Sequence, residues 1–140
     1  MEKRQLFRIM NFADSAAVCS FGRRLADKYP VTVLKKPQKM LVMLKVRESA
    51  KNSLFYAGEA LACECMVQIG EAKGFAASLG DDTAKVYAMA VIDATLNAGL
   101  PECDLIMNAL REWAGQLDEK RAMEAKLTAS TKVNFSVMEE

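Results

Sequence analysis

The chain has 140 residues, 51% of them hydrophobic and only 7% aromatic, with a formal net charge of +1 and no histidine. That length predicts one domain, residues 1–140, able to hold a core without metal or disulfide, since a chain of this size buries roughly 68% of its unfolded surface. Near-neutral charge argues against a dedicated nucleic-acid binder, which needs clustered Lys and Arg, and the lack of histidine confines any chemistry to carboxylates, thiols, hydroxyls or lysines.

Leu6, Ile9 and Met10 at helical spacing predict a helix over 3–12, and Asp14 is a suitable N-cap for a second one. Its apolar stripe runs through Ala17, Val18, Phe21 and Leu25 and stops at Tyr29-Pro30. Val31–Leu34 then reads as a short strand ended by Pro37. Lys39–Arg47 reads as a longer one, with Met40, Val42, Leu44 and Val46 on one face because strand side chains alternate. Leu54–Ile69 is the third strand, with Gly58 at a bulge or bend. Its positions Leu61, Cys63, Cys65, Val67 and Ile69 share an apolar face, with Glu64 and Gln68 opposite.

A hairpin over Gly70–Lys73 leads to a fourth strand, Gly74–Leu79. Gly80-Asp81-Asp82 opens a helix over 84–96, apolar almost all round and therefore expected to be buried. Gly99 supplies its stop and Pro101 the next start. Leu105, Ala109, Trp113 and Leu117 continue at helical spacing, with a break expected near Gly115. The tail, residues 131–140, returns to period two through Val133, Phe135 and Val137, and suits either an edge strand of its own sheet or pairing with another chain. Strands joined by hairpin-length connections between helices predict an α+β class: an antiparallel sheet of about four strands packed against N-terminal and C-terminal helices.

Each chemically suggestive residue has a structural reading beside a functional one. Cys63 and Cys65 share a strand face, but Cys19 and Cys103 lack neighbours that complete a zinc set, so all four read best as small buried hydrophobes in a reducing, cytoplasmic setting. Glu59 and Glu64 point to opposite faces of a regular strand and so do not form an acid/base pair. Asp93 is the sole charge in the run Val86–Leu96 and must meet an amide, a cation or a partner surface. Two carboxylates at Gly80-Asp81-Asp82 already occupy a helix's positive end, which argues against an anion there. Basic residues gather in the first third of the chain, a solvated face or a surface for an acidic partner. No stretch approaches a membrane span, and Arg8 and Asn11 interrupt any signal-peptide core.

One ordered set of pieces resembles a known family. Phe55-Tyr56-Ala57-Gly58-Glu59, Glu64, Gly74, Gly80-Asp81, Ala90-Val91-Ile92-Asp93-Ala94 and Ser130-Thr131-Lys132-Val133-Asn134-Phe135 are similar to the PhnG subunit of the bacterial carbon–phosphorus lyase system. Cysteines stand at 63 and 65 where that family more often has Thr and Ala, and Ala76 where a second Gly is usual. The resemblance implies a non-autonomous subunit with no catalytic residue or cofactor of its own. Its partners would be the other core subunits, especially the larger nucleosidase-like one. The complex would join MgATP and an alkylphosphonate into α-D-ribose 1-methylphosphonate 5-triphosphate and release adenine, in organic phosphonate catabolism. On that reading Gly58, Glu59, Glu64, Gly74, Gly80, Asp81, Asp93, Val133 and Phe135 are interface or structural-signature positions. The alternatives are a stand-alone homodimeric binding module and an independent carboxylate or thiol enzyme.

Overall fold

In a computed structural model that describes residues 1–133, the chain runs α1 (Lys3–Phe12), α2 (Ser15–Lys28), β1 (Val31–Arg47), β2 (Leu54–Ile69), β3 (Ala72–Leu79), α3 (Thr83–Ala98) and α4 (Cys103–Ser130). The class is α+β, with one antiparallel sheet in the order β1-β2-β3. Phe135 and the rest of the expected tail strand lie outside the described residues, and Val133 is exposed at their end.

The sheet has three strands where about four were expected, because Val31–Leu34 and Lys39–Arg47 are one strand running through Pro37. β1 is the sheet edge. Its pairing with β2 shifts register between Val33 and Lys35 and again between Lys35 and Gln38. Those bulges leave Pro37 outside the ladder, so its missing N–H removes no hydrogen bond. The break expected near Gly115 is also absent, and α4 is continuous. A single helical glycine costs about 1 kcal/mol, less than the packing that holds the first half of α4 through Ile106, Leu110 and Trp113.

Local sequence sets most helix ends. The Asp14 carboxylate accepts from the Ala17 amide at 3.0 Å, and that of Asp82 from the Lys85 amide at 3.0 Å. Gly99 closes α3 with φ at 65°, a left-handed conformation that favours glycine, and its amide bonds the carbonyls of Leu96 and Thr95.

α3 is buried almost all round and lies across β2 and β3. Cys63, Cys65 and Val67 of β2 and Ala76 of β3 are fully buried on this helix-covered face of the sheet. The approach is closest at Gly74, where a Cβ would fall 2.1 Å from the Ala90 carbonyl oxygen and 2.4 Å from the Ala94 amide nitrogen. α2 packs on α3 in the same manner, with Gly22 against Ala88. Phe21 meets Trp113 edge to face at 5.9 Å, which ties α2 to α4.

β3 is shorter than its neighbours. Its last pair is Leu79 with Ala62, yet β1 and β2 stay paired from Leu41↔Leu61 out to Arg47↔Leu54. The outer hairpin therefore projects as a two-stranded arm, on which every residue of Leu41–Arg47 is exposed.

Candidate functional site

The carboxylates singled out in the sequence do not converge. Glu59 sits on the arm, exposed and opposite Met43, next to Gly58. β2 carries a bulge there, because Leu44 pairs with Gly58 but Lys45 with Tyr56, leaving Ala57 without a partner. Glu64 lies in the body of the sheet, on the helix-free face, ion-paired to Lys35 and 3.3 Å from the Gln38 amide nitrogen. The bond from Lys35, with Gln38 adding to it, holds the Glu64 carboxyl below its ordinary range.

Asp93 is buried on α3, where it accepts the Phe75 amide at 3.0 Å, bonds Asn97 at 3.3 Å and pairs with Lys3 at 3.2 Å. Phe75 is on β3, so this carboxylate seals part of the free edge of the sheet, and Asn97 adds a bond to the Lys73 carbonyl. Gly80 extends the ladder by donating its amide to the Leu61 carbonyl, and the backbone carbonyl of Asp81 accepts the Thr83 amide at the mouth of α3. The Ser15 hydroxyl donates to Asp82, joining the starts of α2 and α3. This bond, with that from the Lys85 amide, lowers the Asp82 pKa. Among the described residues all four helices carry an acid at the N-cap position, namely Glu2, Asp14, Asp82 and Glu102, which leaves none of these termini electrostatically inviting to a phosphate.

The cysteines are free thiols. Burial pushes Cys65 up to about 11 and also raises Cys63, so neither is poised as a thiolate. Among the described residues no group of three or more Cys, Asp or Glu side chains is spaced to hold a metal ion, and no helix is long and apolar enough to cross a membrane.

Two buried polar centres went unread in the sequence. Lys85 reaches back from α3 to donate to the carbonyls of Asn11 at 2.7 Å and Ala13 at 2.9 Å, capping the end of α1. Its ammonium is pushed down by desolvation. Glu102, buried at the start of α4, is bonded by Lys28 and by the Tyr29 hydroxyl and is held below its usual range by them. The signal for Lys85 was a lone cation three residues after a capping Asp at the head of an apolar helix. Glu102 gave no local signal, since its partners are 73 and 74 residues away.

What the surface concentrates instead is exposed apolar side chain on the arm. One face pairs Met40 with Ala62, Val42 with Ala60, Leu44 with Gly58 and Val46 with Phe55, and carries no charge. The other pairs Leu41 with Leu61, Met43 with Glu59, Lys45 with Tyr56 and Arg47 with Leu54. Leu61 continues the face of β2 that α3 covers further along, but lies beyond the helix and is 44% exposed. At the arm's root a groove of about 460 Å³ is lined by Arg8, Phe12, Met40, Val42, Ala62 and Leu79. Contiguous exposed apolar surface of this kind marks an interaction site in a folded protein.

Fold and surface together define a small α+β protein whose distinguishing feature is a projecting apolar arm. The family model described as phosphonate metabolism protein PhnG matches residues 1–139, and the chain belongs to that family. Its role is therefore in phosphonate metabolism. A comparison with curated proteins found no match.

Proposed function

We propose that this chain is a non-autonomous subunit of the complex that converts MgATP and an alkylphosphonate to α-D-ribose 1-methylphosphonate 5-triphosphate with release of adenine. Family membership supports the pathway, and the arm is the observation that carries the subunit role. Beyond β3 the arm is a two-stranded ribbon with apolar side chains in water, and such a ribbon has no stable burial of its own. Docking on a larger subunit supplies it.

The reaction needs a site that binds a triphosphate with Mg²⁺, directs a phosphonate oxygen to the anomeric carbon and protonates departing adenine. Four of the chain's acids are engaged elsewhere: Asp82, Asp93 and Glu102 hold elements together, and Glu64 is paired on the sheet. Catalytic groups then come from the partner, the larger nucleosidase-like subunit, and this chain completes or stabilises the assembly. Four free thiols fit work in the reducing cytoplasm.

The test is adenine release. The purified chain, given MgATP and methylphosphonate, should release none above background, and the co-expressed core subunits should release it only when this chain is included. Robust release by the single chain contradicts the proposal.

A further inference from the structure

We propose that the arm is gripped on both faces, in a cleft of its partner with one purely apolar wall and one apolar wall rimmed by acids. This rests on the subunit reading above. Sheets in water ordinarily alternate, one face apolar and the other polar, and the arm does not. On the uncharged face Leu44 is 44% and Phe55 48% exposed; on the opposite face Leu41 is 64% and Met43 55% exposed. Burying apolar area is worth about 25 cal/mol per Å² whichever face supplies it. A flat surface covers only one face and leaves the other in water.

Charge tells the two walls apart. All the cations of the paired arm, Lys45 and Arg47, with Lys39 at its root, share the face of Leu41 and Met43, against the single acid Glu59. Lys39 and Lys45 have no ion-pair partner among the described residues. The wall on that side supplies carboxylates; the wall facing Val42, Leu44 and Val46 needs none. A strand rises about 3.4 Å per residue, so Leu41–Arg47 asks for a cleft ~20 Å deep. A second copy of this chain is a poor occupant. Two arms meeting through their uncharged faces leave both charged faces wet, and meeting through the others they bring Lys45 and Arg47 of both copies together.

The experiment co-expresses the family's core subunits with the wild-type chain or with Leu44→Asp, Met43→Asp, or Lys45→Glu with Arg47→Glu. Partner recovered on the tagged chain is measured. Each arm variant alone should melt as the wild type does, since these side chains lie outside the core. Leu44→Asp and Met43→Asp, on opposite faces, should each lower recovery at least tenfold, and the double charge reversal should weaken it and remove its salt sensitivity. Sensitivity on one face only places the arm on a flat surface and overturns the cleft. Insensitivity on both faces overturns the arm as a docking element. A wild-type chain that recovers no partner overturns the subunit reading itself. A homodimer dissolved by both substitutions, or binding of the isolated chain to phosphatidylserine vesicles lost with Lys45 and Arg47, assigns the arm to a second copy or a membrane and also overturns the proposal.

Discussion

At the scale of single residues, two glycines make opposite predictions. At Gly74 a methyl group meets backbone atoms of α3, which retreat only if the helix lifts off β3. Gly74→Ala should cost about 3 kcal/mol or prevent folding, at or beyond the upper end of overpacking effects. At Gly115 the methyl meets nothing, and Gly115→Ala should add up to about 1 kcal/mol through helix propensity. Urea titrations of the two variants check both signs. The thiols make another residue-level prediction. In native protein at neutral pH, Cys63 and Cys65 should react with a maleimide far more slowly than the half-buried Cys19 and Cys103. Equal rates for all four would contradict the burial that raises Cys65 to about 11.

The carboxylates add a pH dependence. Glu102 is held down by its bonds from Lys28 and Tyr29, and Asp82 by those from Ser15 and the Lys85 amide. Their folded pKa values lie below the unfolded ones, so between the two the unfolded chain binds more protons and stability rises with pH. The contribution is complete above the ordinary carboxylate range of about 4 to 4.5 and is lost as pH falls through the depressed values. Thermal melts from pH 6 down to pH 3 should show this loss, with a shallower slope in Glu102→Gln.

At the scale of elements, the sequence was legible where the cause is local. Asp14 and Asp82 announce their helices because capping acts within three residues, and α3 announces its burial because Asp93 is the sole charge in its largely apolar run Val86–Leu96. Pro37 was misleading for a tertiary reason. A proline ends a central strand but is tolerated at an edge with bulges, and β1 becomes an edge only through the placement of β2 and β3. Gly115 misled similarly, because packing by Ile106, Leu110 and Trp113 outweighs one poor helix former. The arm was hidden most thoroughly. Met40, Val42, Leu44 and Val46 alternate as a buried face does, yet they share the sheet face of Ala62 and Glu64, opposite the one that α3 covers through Cys63 and Cys65. The carboxylates were unevenly legible for the same reason. Strand parity correctly separated Glu59 from Glu64, while Glu102 depends on partners that only the folded chain brings near.

At the scale of the whole molecule, the division is between a well-satisfied body and an unsatisfied arm. In the body every buried side-chain polar atom among the described residues has a partner. The edge of β3 is tied to α3 through Asp93 and Asn97. The arm exposes apolar side chains on both faces and leaves the edge of β2 beyond Leu61 without a neighbouring strand, the features that folded chains otherwise suppress because they invite association. Membership of the PhnG family places the chain in phosphonate metabolism, and assembly is the role proposed for its arm. Replacing residues 42–60 with Asn-Gly joins Leu41 to Leu61 by a two-residue hairpin and removes the arm while keeping the body. The most direct measurement is the mass of the complex recovered when this shortened chain is co-expressed with the other core subunits. If the arm is the docking element, the shortened chain folds, melts close to the wild type and is missing from the recovered complex. A complex of full mass that contains the shortened chain would contradict that role.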